Sequence, residues 1–279
     1  SSAPGAEREM NPSQPKRLLD QAAVVTGGGR GIGRVLALTL ADEGARVAVS
    51  GRNMRNLEAV AEEIRSGGGE AIFIPCDVTK RDKARSLASG VMEAFGRIDI
   101  LVNNAGVHSS TALLVHVEEA EWETVMATNV KGVFLVTQAV LPAMMARGPG
   151  HVVTTSSAAG TPRSQNSVNV PYVASKWAVE GFNHSMAMQM RPYAVRFNTL
   201  APGPTLNDIQ KSFNTDVERL VNFPGGMRRN EWVTDSFRYL VCETPDLTGA
   251  HISSPEWDKE NGIPREKISE AEIRSFMAS

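Results

Sequence analysis

The stretch Ala22-Ala23-Val24-Val25-Thr26-Gly27-Gly28-Gly29-Arg30-Gly31-Ile32-Gly33 decides the reading of this chain. Residues 22–26 are apolar or β-branched on both parities, as in a strand buried on both faces. The glycine run cannot continue a strand, and beyond it Ile32, Val35, Leu36 and Leu40 recur at spacings of three and four, the period of a helix. A strand, a glycine turn and a helix in immediate succession open a βαβ unit. Glycines allow a tight turn and close approach of backbone to ligand, and the helix N-terminus presents free N–H groups over that turn. A pyrophosphate suits such a site, with Gly33 letting the helix pack closely on the strand. No register satisfies G-x-G-x-x-G, so the commonest dinucleotide fingerprint is absent.

Outward from this turn the pattern repeats. Short apolar runs at 46–50, 71–75, 98–103, 151–156 and 195–200 join 22–26 as six predicted strands. Helix-length segments at 31–43, 57–65, 81–95, 122–147 and 172–190 accompany them. Strands alternating with helices through right-handed crossovers give a doubly wound, Rossmann-type α/β fold, a parallel sheet with helices on both faces. One domain over 19–257 is expected, after a polar, proline-bearing flexible leader at 1–18 and before a charged extension at 258–279. In that extension Ser269-Glu270-Ala271-Glu272 reads as a capping box, with Ile273, Phe276 and Met277 along one helix face. The helix is expected to dock on its own domain; an arm to a neighbouring subunit or a cover over a cleft is the alternative.

The 279 residues carry 29 Lys+Arg against 31 Asp+Glu, a net charge of −2, so no overall field draws in nucleic acid or an anionic membrane. No apolar run approaches the roughly 18 residues that span a bilayer. Cys76 and Cys242 have no partner at ligand spacing, which favours free thiols in a reducing, cytoplasmic compartment. His108, His116, His151, His184 and His251 show no metal-ligand spacing, and a non-catalytic role is expected for each.

Further motifs stand in order along the chain: Asp77-Val78, Asn103-Asn104-Ala105-Gly106, Asn129, Ser157-Ala158-Ala159-Gly160, Tyr172-x-x-x-Lys176 and Pro202-Gly203. With Thr26-Gly27-x-x-x-Gly31-x-Gly33 ahead of them, this set resembles the short-chain dehydrogenase/reductase family, over about residues 20–255. The resemblance implies a nicotinamide dinucleotide cofactor held by Thr26, Gly27, Gly29, Arg30, Gly31, Ile32 and Gly33. It further implies that Asp77 and Val78 meet the adenine, and that Asn103, Ala105 and Gly106 line the cofactor trough. Pro202, Gly203 and Thr205 lie beyond the last predicted strand, Thr205 toward the carboxamide. The family places an acid at the end of the second strand when it selects NAD; here Gly51 stands there and Arg52 follows. Arg52 and Arg30, with no opposing carboxylate, suit a 2′-phosphate, so NADP(H) is expected over NAD(H).

Tyr172 and Lys176, four apart on a predicted helix, share one face. A phenol near pKa 10 is too weak a base at neutral pH, and a neighbouring ammonium, with an oxidised nicotinamide, is expected to lower it. Tyr172 is then the general acid/base, and Ser157, at a strand's C-terminal end, bonds the carbonyl being reduced. Ser157 is preferred over Ser156 because the family's serine precedes the glycine by three. By resemblance Lys176 also holds the nicotinamide ribose, and Asn129, interrupting a helix, holds a water linking Lys176 to a proton relay. The expected partner is a small carbonyl or alcohol substrate, 3-oxoacyl- or small-ketone-like, under a lid at 206–227; a homo-oligomer, tetramer or dimer, is a family expectation. Two departures from the family pattern stand out: a longer polar segment at 158–171, and Ala250-His251-Ile252-Ser253-Ser254-Pro255 where an Asp-Gly-Gly turn often closes the fold. The competing readings are an NAD-dependent alcohol dehydrogenase running oxidatively and a non-catalytic dinucleotide-sensing protein.

Overall fold

The computed structural model describes residues 16–162, 169–206, 217–223 and 226–279. Seven parallel strands form one sheet in the order β3-β2-β1-β4-β5-β6-β7. They are β1 (Ala22–Thr26), β2 (Arg46–Gly51), β3 (Ala71–Pro75), β4 (Ile100–Asn103), β5 (Gly150–Thr155), β6 (Val195–Ala201) and β7 (His251–Ser253). The connecting helices are α1 (Gly31–Asp42), α2 (Met54–Ser66), α3 (Arg81–Phe95), α4 (Glu119–Met126), α5 (Gly132–Arg147) and α6 (Val170–Gln189). Strand order reverses between β1 and β4, and the C-terminal ends of these two strands open the crevice where such sheets place their ligands.

Alternate residues of each inner strand enter different cores. Ala23 and Val25 of β1 join Val35, Leu36 and Leu40 of α1 on one face. Ala22 and Val24 join Leu87 and Val91 of α3 and Leu135, Val136 and Val140 of α5 on the other. Burial on both faces is why these strands read as continuous apolar runs rather than alternating ones.

Several expectations are corrected. The sheet has seven strands, not six: β7 is three residues at the sheet edge, with one aliphatic side chain, too short for a periodic signal. β4 begins at Ile100 rather than at residue 98, because Asp99 turns its carboxylate to accept from the Ala22 N–H at 2.8 Å. The single helix expected at 122–147 is α4 and α5 joined by a π turn, Ala127–Lys131. The whole run, Glu119–Arg147, has a stretch of mean hydropathy 1.3, long and apolar enough to cross a membrane by length and composition, where no such segment was expected. In this fold α5 instead buries Val133, Leu135, Val136, Val140 and Met144 within the domain. Leu18, expected to belong to the leader, lies in the core at 2 % exposure, and Arg17 is paired with Glu43 at 2.8 Å.

Beyond β7 the helix Ser254–Glu260 straddles the expected boundary at 257/258. The helix Glu270–Ala278 opens with the expected Ser269/Glu272 capping box. Its Ile273, with Ile268, packs on Leu220 and Met227 of the segment expected to form the lid, so it docks on its own domain.

Candidate active site

The turn after β1 separates two demands on glycine. Gly27 and Gly31 take φ of +63° and +53°, the left-handed region that favours glycine. Gly33 answers a steric demand: a Cβ there would lie 2.2 Å from the Gly27 carbonyl oxygen and 2.5 Å from Asn104 Nδ2. At Gly31 a Cβ would meet no atom within 4 Å, so the turn opens outward there. Arg30, the N-cap of α1, is extended, and its side chain makes no capping bond to the first turn. Open space, glycine backbone and a helix N-terminus lacking a capping side chain fit a dinucleotide pyrophosphate. Gly29 and Ile32 complete the turn, Ile32 packing against the α1 core.

Thr26 ties this turn to the end of β4. Its hydroxyl donates to the Val102 carbonyl at 3.3 Å and accepts from the N–H groups of Asn104 at 3.0 Å and Ala105 at 3.1 Å. Asn104 Nδ2 donates to the carbonyls of Thr26 at 3.1 Å and Gly27 at 3.3 Å, and its Oδ1 accepts from the Thr155 hydroxyl at 3.2 Å. Asn104 thereby joins β1, β4 and β5, a role that sequence spacing did not separate from its neighbours. Asn103 behaves differently: its side chain points into the core and donates to Thr137 Oγ1 at 2.9 Å, so only its backbone can serve the trough.

At the end of the site expected to take the adenosine, Gly51 closes β2 and Arg52 is exposed beside it. The expectation of no opposing carboxylate needs correction. Asp77 lies near enough to Arg52 for the guanidinium to help hold its carboxyl below the usual range, although its bonds to the Thr79 N–H and hydroxyl do more. The topology explains the miss: β2 and β3 are parallel neighbours, so their C-terminal ends meet across a gap of some 25 residues in sequence. Val78 is buried, its side chain against the space a Cβ on Gly132 would take.

Ser157, Tyr172 and Lys176 converge at the ends of β5 and α6. Ser157 caps a 3-10 turn, Ala158–Gly160, its Oγ accepting from the Ala159 N–H at 3.2 Å. A Cβ on Gly160 would sit 2.8 Å from the Lys176 carbonyl, so glycine there lets the turn press on α6 and deliver Ser157 to Tyr172. The Ser157 side chain stands close enough to the phenol to favour its ionised form, a smaller effect than burial. Lys176 Nζ donates to the Thr155 carbonyl at 2.8 Å and stands 5.4 Å from the centre of the Tyr172 ring. Ser156 is turned inward and buried, and at the C-terminal end of β5 it is Ser157 that meets Tyr172.

The phenol is not lowered as expected. Burial pushes Tyr172 up to about 12, offset in part by the Ser157 side chain, and pushes Lys176 down to about 8, opposed by the Glu180 carboxylate. The ammonium is aimed at the Thr155 carbonyl, and desolvation disfavours its charge as it disfavours the phenolate. Glu180, one turn beyond Lys176, is itself held by His251 Nδ1 at 2.8 Å and by the Thr199 hydroxyl at 3.0 Å.

Asn129 sits in the π turn, 2 % exposed, with its side chain fully engaged. Its Oδ1 accepts from the Val107 N–H at 2.8 Å, and its Nδ2 donates to the Val107 carbonyl at 2.9 Å and to Ser175 Oγ at 3.0 Å. It therefore links the loop after β4, through Gly106 and Val107, to α6. His108, for which no site role was expected, stacks on Tyr172 with ring centres 3.8 Å apart.

Pro202 and Gly203 follow β6. A Cβ on Gly203, at φ +88°, would lie 2.7 Å from both Arg228 Cδ and Pro255 Cγ. Thr205 is buried and its backbone pairs with Arg228. Arg228 is held by Asp258 at 2.5 Å, and Arg265 reaches the same carboxylate at 3.0 Å. The tail thus braces the loop that follows β6. Of the expected lid and cleft wall, residues 207–216, 224–225 and 163–168 lie outside the described residues.

Residues 21–218 match the short chain dehydrogenase family, and the chain belongs to it. The 3-oxoacyl-[acyl-carrier-protein] reductase FabG of Staphylococcus epidermidis is 36 % identical over 201 residues, 72 % of this chain and 81 % of that protein. The 3-oxoacyl-[acyl-carrier-protein] reductase of Synechocystis is 33 % identical over 249 residues, 88 % of this chain and 98 % of its own. Among solved structures, a short-chain type dehydrogenase/reductase from Mycobacterium marinum superposes with a TM-score of 0.79 at 34 % identity, covering 85 % of this chain and 94 % of that one. An actinorhodin polyketide ketoreductase with NADPH gives 0.78 at 28 %, covering 86 % and 97 %. A 3-ketoacyl-(acyl-carrier-protein) reductase from Brucella melitensis with NADH gives 0.77 at 25 %, covering 85 % and 97 %. The chain is an oxidoreductase of a family that uses NAD(P)(H), and its reductase relatives support carbonyl reduction.

Proposed function

We propose that the protein reduces a ketone or other carbonyl to an alcohol with NADPH, with Tyr172 as general acid. The observation that carries this reading is the convergence of Ser157, Tyr172 and Lys176 beside an open glycine cradle. Bound reduced nicotinamide dinucleotide supplies the hydride. Ser157 donates a hydrogen bond to the carbonyl oxygen and stabilises the charge that develops there. Tyr172, a phenol protonated at neutral pH, delivers its proton to that oxygen. Lys176 holds the ribose hydroxyls, and Asn129, its side chain committed to Val107 and Ser175, holds the loop after β4 against α6.

Arg30 and Arg52 support NADP(H) over NAD(H), because each can bond a 2′-phosphate that Gly51 does not repel. The names of the relatives point to a 3-oxoacyl substrate within the wider class of ketones. Exposed Phe134 on α5, with Trp177 and Met188 on α6, supports a dimer or tetramer built on these helices. A cytoplasmic setting, in keeping with two free thiols, belongs to the same proposal.

Tyr172→Phe tests the function on a ketone panel with NADPH. Turnover should fall by at least about 100-fold while NADPH affinity stays within about threefold. Undiminished turnover refutes the mechanism. Binding without turnover by the wild type across the panel favours a sensing protein, and faster alcohol oxidation with NAD favours the oxidative enzyme.

A further inference from the structure

We propose that His108 is a positioning residue for Tyr172: its imidazole, lying flat on the phenol, fixes the ring where its hydroxyl meets Ser157 and shields it from water. The inference rests on the functional reading above and deepens it.

The two rings are 3.8 Å apart at their centres and inclined by only 15°. Such a stack forms only if the loop after β4 and the first turn of α6 are held in register. One amide does this. Asn129 grips both backbone groups of Val107, the residue before His108, and donates to Ser175, whose hydroxyl in turn donates to the Tyr172 carbonyl at 2.7 Å. Gly106 keeps this grip close, since a Cβ there would stand 3.3 Å from Asn129 Oδ1. The carriers of the imidazole and the phenol are thus cross-linked through a buried side chain rather than left to meet by chance.

The charges around the imidazole fit the role. Burial pushes His108 down to about 4, helped by the charges of Lys176 on α6 and Arg219 on the helix Val217–Val221. At neutral pH it is an uncharged aromatic surface. It contributes stacking and excludes water without adding a cation that would favour the phenolate. Burial is what holds Tyr172 up near 12, so removing the covering ring should let its pKa fall back.

The test follows the pH dependence of alcohol oxidation with NADP, whose acidic limb reports loss of the Tyr172 proton. Wild type, His108→Ala and His108→Phe are compared on one alcohol that the wild type turns over. In His108→Ala the limb should move down by about one pH unit and kcat for ketone reduction should fall about tenfold. His108→Phe, which keeps a ring face, should restore both. An unmoved limb in His108→Ala, or an equal shift in His108→Phe, overturns the proposal. If His108→Ala does not fold, His108→Asn, polar but without a ring, takes its place. Tyr172→Phe, run alongside, separates the two failures: its loss of turnover with an unmoved His108 limb defeats only this inference, whereas its full activity defeats the functional reading.

Discussion

Replacing Gly33 and Gly31 in turn with alanine separates the packing function of the glycine turn from its binding function. At Gly33 the added carbon would lie 2.2 Å from a backbone oxygen, about 1.1 Å inside an ordinary contact of about 3.3 Å. The obstacle is main chain, so α1 must move off the β1 turn. Overpacking of this kind costs about 1–3 kcal/mol. The shift also strains the two Asn104 bonds to Thr26 and Gly27, at about 1 kcal/mol each. A loss of about 3–5 kcal/mol should lower Tm by about 10 °C. At Gly31 the added carbon meets nothing, and the cost is the left-handed backbone, about 1–2 kcal/mol, partly offset by alanine's helix preference of about 1 kcal/mol. Its Tm should fall by no more than about 4 °C. NADPH affinity, measured by titration calorimetry, should nevertheless drop at least about tenfold in Gly31→Ala, because the methyl enters the space assigned to the pyrophosphate. Gly33→Ala should lose both stability and binding. Wild-type NADPH affinity in Gly31→Ala, or a Gly33→Ala protein that melts within about 2 °C of the wild type, would refute the reasoning.

Three further outcomes are expected. Arg52→Ala should weaken NADP binding about 10- to 100-fold and leave NAD within about threefold, read by fluorescence titration; parallel losses for both would remove Arg52 from 2′-phosphate recognition. Lys176 is held near 8 in the fold against 10.5 in the open chain, so its burial penalty is fully present below pH 8 and relieved as pH rises to 10.5. The urea stability of the wild type relative to Lys176→Met should therefore climb by about 3 kcal/mol over that window, and a flat difference would contradict the burial assigned to the ammonium. Asp258→Asn leaves the buried Arg228 guanidinium without its carboxylate, and should cost about 3–5 kcal/mol in chemical denaturation; an unchanged midpoint would mean that the tail does not brace the loop after β6.

The fold was legible wherever a strand is buried on both faces. β1, with Ala23 and Val25 in one core and Ala22 and Val24 in the other, reads as a strand because every position is apolar or β-branched. β7 lacks that signal: its place at the edge comes from pairing with β6, Leu200 opposite Ile252, which no local pattern in three residues announces. The π turn at Asn129 was half-visible. An Asn within a helix signals an interruption, but its partners there, Val107 and Ser175, lie far away in sequence.

At the site, spacing was informative where one element carries the geometry and silent where several meet. Tyr172 and Lys176 share α6, so four residues sufficed to put them together. Ser157 reaches them because Gly160 lets two elements touch, and the Ser-x-x-Gly spacing carries that fact in the sequence. The stack of His108 on Tyr172 and the nearness of Asp77 to Arg52 carry no such mark, since each pair brings together different strands and helices. The same limit explains the phenol. Adjacent charge, visible in sequence, argued for lowering its pKa, but burial, a property of the assembled fold, prevails and pushes it up to about 12. A buried phenol and a buried ammonium each resist their charged forms, so the resting pair favours the protonated tyrosine.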